Sequence, residues 1–180
     1  MNTEIEAKLK VDSLESVESQ LQTLGAQFIE QHHQIDYYFD DEKSSFAKNN
    51  KCLRLRLQSI ENDKTAFLTY KGPKQEDDFK KRLEIEIQVS DVESAENLLS
   101  VLGYKSKLVI EKKRKIWQLC SCFVALDNLP SLGCFVEIEG PDNSKIAEVQ
   151  KKLGLGNIRH IRESYAELMT KNTKSSLKAK

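Results

Sequence analysis

The chain has no net charge: 28 lysines and arginines balance 28 aspartates and glutamates over 180 residues. A protein that holds nucleic acid or an anionic membrane needs an excess of positive charge. Neither is therefore an expected partner, and any charge used for function must be local. No apolar run approaches the length that crosses a bilayer. A secretory leader is not expected either, because Glu4, Glu6 and Lys8 stand where its apolar stretch would be. A soluble, cytoplasmic protein is the expectation. Cysteines are few, and Cys52, Cys120, Cys122 and Cys134 lack the paired spacing of a metal finger. Such a set suits reduced thiols used as small hydrophobes. Histidine is scarcer still. His32 and His33 fall in an expected turn and read as solvated, and His160 has no supporting motif. No histidine is placed as a general base.

What the chain has in quantity is patterned charge, 31% of its residues. Residues two apart on a strand share a face. Glu4-Ile-Glu6-Ala-Lys8 therefore sets two carboxylates and an ammonium on one side, and three later segments repeat the device: Leu53-Arg54-Leu-Arg56-Leu57, Arg82-Leu-Glu84-Ile-Glu86-Ile87 and Val136-Glu137-Ile-Glu139. Each has one apolar face and one charged face. Strands are expected over Thr3–Lys10, Ile35–Phe39, Leu53–Ser59, Thr65–Lys71, Lys81–Val89, Leu108–Leu119, Cys122–Leu126 and Cys134–Glu139. Turns are expected at Glu61-Asn62-Asp63, Gly72-Pro73 and Pro130 to Gly133. Amphipathic helices are expected over Ser13–Leu24, Asp91–Leu102 and Lys145–Leu153, with a fourth starting near Arg162 or Glu163. The length fits one domain over residues 1–169. The polar, lysine-rich residues 170–180 read as a disordered tail.

The first two helices align without a gap, Leu14 on Val92 and Gly25 on Gly103, with six of twelve positions identical. Extending that register lays Glu6 on Glu84, Gln34 on Lys112 and Asp36 on Arg114. The pattern reads as an internal repeat of strand, helix and further strands; convergence of two amphipathic helices is the alternative.

About eight strands with few helices suggest an α+β fold around a closed or nearly closed antiparallel sheet. If the apolar helix faces pack outside it, Ile5, Leu53, Leu55, Leu83, Ile85 and Ile138 face outward beneath them and the charged faces point inward. That inverts the usual barrel, whose interior is apolar. The alternative is a sheet with one wet face and surface ion pairs, each worth about 0–1 kcal/mol. Gathering Lys8, Arg54, Arg56, Lys71, Arg82, Lys112 and Arg114 in one interior is costly, and a polyanionic ligand would offset that cost. Glu4, Glu6, Glu137 and Glu139 would then repel such a ligand unless a hard divalent cation lay between, and carboxylate oxygens suit Mg²⁺ or Mn²⁺. Asp127 is a further candidate ligand. On this reading Arg56→Leu should weaken anion binding at little cost in stability.

Assembled in order, these segments resemble the CYTH, or triphosphate tunnel metalloenzyme, superfamily, in its class IV adenylyl cyclase-like branch. Glu4-x-Glu6-x-Lys8, Gln34-x-Asp36-Tyr-Tyr-Phe39, Arg54-x-Arg56, Thr69-x-Lys71-Gly-Pro73, Arg82-x-Glu84-x-Glu86, Lys112-Lys-Arg114, Asp127 through Glu139 and Ser164-Tyr165 are similar to its motifs over residues 1–169. The double tyrosine followed by Asp40-Asp41 departs from the pattern at the tunnel mouth. The resemblance implies an eight-stranded tunnel with helices outside and a triphosphate substrate held by Lys8, Arg54, Arg56, Lys71, Arg82, Lys112 and Arg114. It also implies one or two Mg²⁺ or Mn²⁺ ions on Glu4, Glu6, Glu137 and Glu139, with Asp127 a weaker ligand, and a homodimer as a common assembly. Glu6, Lys8 and Glu137 would be the catalytic set. The implied reaction is conversion of ATP to cyclic AMP and pyrophosphate. Hydrolysis of inorganic, thiamine or nucleoside triphosphate is the alternative, and non-catalytic binding of nucleotide or polyphosphate the third.

Overall fold

Eight antiparallel strands close on themselves in the order β1-β5-β4-β3-β2-β6-β7-β8. The computed structural model describes residues 2–61 and 63–178. The strands are β1 (Asn2–Val11), β2 (Gln27–Asp40), β3 (Cys52–Ile60), β4 (Asp63–Lys71), β5 (Lys80–Val89), β6 (Lys105–Leu119), β7 (Cys122–Leu129) and β8 (Gly133–Glu139). Five helices pack outside: α1 (Leu14–Thr23), α2 (Ser45–Lys48), α3 (Val92–Val101), α4 (Asn143–Lys152) and α5 (Tyr165–Lys178). Closure leaves no unpaired sheet edge.

The helices α1, α3 and α4 begin at side-chain caps. Ser13 accepts a hydrogen bond from the Glu15 N–H, Asp91 from Ser94 and Asp142 from Lys145. α1 and α3 end before Gly25 and Gly103, whose φ angles of 71° and 89° suit glycine. The apolar faces then find the barrel's outer surface. Val17, Leu21, Ile146 and Val149 share a core with Leu9, Val136 and Ile138, while Leu99 packs with Phe39 and Leu55. Leu55 and Ile138 are fully buried as the outward-facing reading requires, whereas Ile85 and Ile87 stay 40% and 56% exposed.

The strand register carries the same offset as the helix alignment. Gln34 pairs with Lys112 across β2 and β6, and Glu4 with Arg82 across β1 and β5. Each pair joins residues related by the same 78-residue offset that lays Leu14 on Val92. Only a pseudo-two-fold axis piercing both seams places each residue opposite its own equivalent. It lays Asp36 and Arg56 on Arg114 and Asp127, because these are the matching register pairs of β2–β3 and β6–β7. The two ion pairs occupy equivalent sites with their charges exchanged.

Two expectations need correction, and one element was not expected. β2 starts at Gln27, well before Ile35, so His32 and His33 lie in a strand and not in a turn. The stretch read as an unstructured tail is helical through Lys178, since no glycine or proline interrupts it. Ser45–Lys48 forms a short helix that periodicity over so few residues could not signal. The turn expected at Glu61-Asn62-Asp63 includes Asn62, which lies outside the described residues, as do Met1, Ala179 and Lys180.

Candidate functional site

The charged faces converge on a tunnel of about 790 Å³. Eight cations line it: Lys8, Arg54, Arg56, Lys71, Lys80, Arg82, Lys112 and Arg114. So do eight carboxylates: Glu4, Glu6, Glu30, Asp36, Glu84, Glu86, Glu137 and Glu139. Alternation explains the set, since each strand turns every second side chain inward. All seven cations expected from the sequence are present, along with Glu4, Glu6, Glu137 and Glu139. The inverted barrel is correct, and the sheet with one wet face is excluded.

The lining is a network of ion pairs. Arg56 grips Asp36 through two bonds of 2.6 and 2.8 Å. Burial opposes ionisation of Asp36, but Arg56 and Arg54 outweigh it and hold the carboxyl far below its usual range. Lys71 lies 2.8 Å from Glu4 and 2.7 Å from Glu84. Lys80 bonds Glu6. Lys8 sits 3.2 Å from Glu137, donates to the Glu163 carbonyl oxygen at 3.1 Å and lies 4.0 Å from the centre of the Tyr165 ring. Glu137 also bonds Arg114. Burial works against its charge, yet Lys8 and Arg114 pull its pKa well down.

Lys112 and Glu139 carry the site's weakest charges. Burial, then the nearby Arg114, drives the pKa of Lys112 down to about 7. Glu139 rises to about 7, first through burial and then through repulsion by Glu4 and Glu6. Glu6 and Glu139 face each other directly across β1 and β8. This crowding of oxygen-only donors suits a hard divalent cation, so the residues present fit one. Among the described residues, no three are already drawn together as a metal-holding group, because Lys71 and Lys80 hold Glu4 and Glu6.

Asp127 is brought to the network but not to the cavity wall. It is fully buried and accepts from Arg114 at 2.6 and 2.5 Å, from Lys112 at 3.2 Å and from the Tyr165 hydroxyl at 2.8 Å. With its oxygens so engaged, it orients cations from behind. His32 is likewise buried, not solvated. One ring nitrogen lies 2.8 Å from the Glu30 carboxylate and the other 3.2 Å from the Gln34 amide, and burial lowers its pKa. His33 pairs with Glu111 at 2.7 Å, and His160 with the Gln150 side chain at 2.8 Å.

Lys80, Asp36, Glu84, Glu86 and Tyr165 join the site without having been assigned to it. Lys80 was legible in principle, two residues before Arg82 on the same face. Tyr165 was not, because nothing local says that α5 folds back over the tunnel. There Tyr165 packs on Phe135, Ile110 and Leu129.

The CYTH domain model matches residues 2–165, and the chain belongs to that family. It is 34% identical over 174 residues to "Putative adenylate cyclase MJ0240" of Methanocaldococcus jannaschii, covering 92% of this chain and 97% of that protein. The PH1819 protein of Pyrococcus horikoshii superposes with a TM-score of 0.81 at 29% identity, over 93% of this chain and 98% of that one. HpAC1 from Hippeastrum, described as revealing a dominant triphosphatase activity, shares the fold at a TM-score of 0.72 and 16% identity, over 93% and 95% of the two chains.

Proposed function

We propose that this protein converts ATP to cyclic AMP and pyrophosphate in its tunnel, with Mg²⁺ or Mn²⁺. The observation that carries the reading is the balanced lining of eight cations and eight carboxylates in a closed barrel. Every buried cation is matched by a carboxylate, so a triphosphate arriving alone adds unmatched negative charge. Glu4, Glu6, Glu137 and Glu139 would hold the cation. Their release frees Lys71, Lys80, Lys8 and Arg114 for phosphate oxygens. A bound divalent cation supplies the acidity that lowers the pKa of the ribose 3′-hydroxyl.

The chain's own contribution is position and electrostatics. Arg54, Arg56, Arg82, Lys112 and Arg114 stabilise charge gathering on the departing pyrophosphate. Lys8, steered by Glu137 and the Tyr165 ring, is set to bind the phosphate chain and with Glu6 and Glu137 forms the catalytic set. The 3′-oxygen attacks the α-phosphorus in line, the bond to the bridging oxygen breaks, and the proton passes to solvent. The resemblance to a cyclase-named relative at 34% identity supports this direction.

Triphosphatase activity is the second reading, favoured by what is described for HpAC1. The same lining would serve, with water attacking the terminal phosphorus. Incubation with ATP and Mg²⁺ or Mn²⁺, followed by chromatography, separates the outcomes. Cyclic AMP with pyrophosphate supports the cyclase, and orthophosphate supports the hydrolase. Unchanged ATP with a thermal shift on binding leaves a non-catalytic nucleotide binder.

A further inference from the structure

One half of the barrel is wrapped by helices and the equivalent half is not. On β1, Ala7 and Leu9 are buried, as are their partners Ile138 and Val136 on β8, and α1 and α4 pack over this side of the sheet. The 78-residue offset lays Ala7 on Ile85 and Leu9 on Ile87 of β5, which face Tyr70 and Leu68 of β4 in the same register. There Ile85 and Ile87 stay 40% and 56% exposed. α3 takes the place of α1, with Leu99 packed against Leu55 of β3. α4 has no counterpart: it follows β8, and the segment that follows β4, residues 72–79, contains no helix.

The residues of α3 suit a neighbour in that place. On α1, Gln20 reaches α4, donating to the Lys152 carbonyl oxygen at 3.4 Å. Its equivalent on α3 is Leu98, and the equivalent of Thr23 is Val101. These two apolar side chains are 59% and 86% exposed, with Leu102 beside them at 62%. Their spacing of three and four places them on one helix face, and Glu93 and Glu96 fall on the opposite one. Water gives no reason to set leucine and valine where α1 carries glutamine and threonine. Contiguous apolar exposure rimmed by charge marks a protein contact.

We infer that the face formed by α3 and β5 is the contact between two copies of this chain, in which the partner's α3 stands where α4 stands on the other half. The face is its own complement. Leu98 and Val101 form a ridge, and the same α3 together with Ile87 walls the place beside it. A two-fold axis next to α3 sets each ridge into the other copy's open place, and an isologous contact of this kind closes at two copies. An unrelated protein would have to bring an apolar helix ridge of its own. A second copy already carries one.

The test is the mass of the ligand-free full chain by sedimentation velocity and light scattering. The parent should run at twice its chain mass of 20.6 kDa. Two variants should run at the mass of one chain: Ile87→Glu, and Leu98→Gln combined with Val101→Thr. The second only gives α3 the residues that α1 carries, and all three positions are exposed, so far-ultraviolet dichroism should report the parent's fold in both. A parent that stays monomeric up to about 100 µM overturns the assignment and leaves the face to another protein. A dimer that survives in both variants overturns it too, because another face would then hold the pair. So does an assembly larger than two, which an isologous contact cannot build.

Discussion

Arg56 shows how far a single residue's meaning depends on its partner. Its alternation with Arg54 marks it as an interior cation, and a lone buried cation should be dispensable for stability. Its bidentate grip on Asp36, which is 2% exposed, reverses that expectation. Arg56→Leu leaves the Asp36 charge with Arg54, at 3.8 Å, and the weaker influence of Lys112. It should destabilise the protein by about 3–5 kcal/mol, read from urea denaturation, and Asp36→Leu in the same chain should restore much of the loss. Equal stability of parent and single variant would contradict the pair's role. Glu6→Gln, by contrast, should abolish metal-dependent turnover while far-ultraviolet dichroism still reports a folded barrel; full turnover would remove Glu6 from the metal set.

Lys112 has a pH signature. Its folded pKa of about 7 lies below the ordinary 10.5, so between those values the unfolded chain binds the extra proton and stability rises with pH. A triphosphate favours the charged form. Affinity should therefore fall as pH climbs through 7, and binding at pH 8 should take up protons. Titration calorimetry in buffers of different ionisation enthalpy measures that uptake, and a buffer-independent heat would contradict it.

At the scale of elements, α5 was expected to start near Arg162 or Glu163, but its second half, residues 170–178, read as a tail. Its composition is polar, which reads as disorder, but long-range contacts decide its state. Tyr165 packs on Phe135 and bonds Asp127, while Lys74 reaches Glu167 at 2.7 Å. Burial disfavours the Glu167 charge, but bonds from Lys74 and Ser164 outweigh it and bring the pKa down to about 2. The contribution is present above the ordinary 4.5 and is lost as pH falls towards 2. Hydrogen exchange along α5 should accelerate over that window before the barrel strands do; uniform protection would argue against this anchor. The strands behaved differently. Alternation located all eight, because the pleat is a local property, whereas the start of β2 was missed because Glu30 to Gln34 is polar on both faces. Pairing with β6 fixes that segment as strand.

For the whole molecule, the eight cations and eight carboxylates that line the tunnel balance, so it is close to neutral. Neutrality makes binding of a polyanion depend on a cation brought with it. Inorganic triphosphate with Mg²⁺ should raise the melting temperature clearly more than the same anion in chelator, since stabilisation follows affinity for the native state. An equal shift without metal would mean that the lysines and arginines suffice.

Residue order was enough to specify the strand faces, the helices α1, α3 and α4 and the seven cations first assigned to the interior, since each follows from periodicities of two and 3.6 along a local backbone. It could not specify who pairs with whom. That Asp127 supports cations from behind, that His32 is buried, that Tyr165 closes over Lys8 and that α3 and β5 leave an apolar face open all depend on groups far apart in the chain meeting in a closed sheet. Ion-pair energies are set by those distances and by the water excluded on closure, and neither exists until the barrel forms.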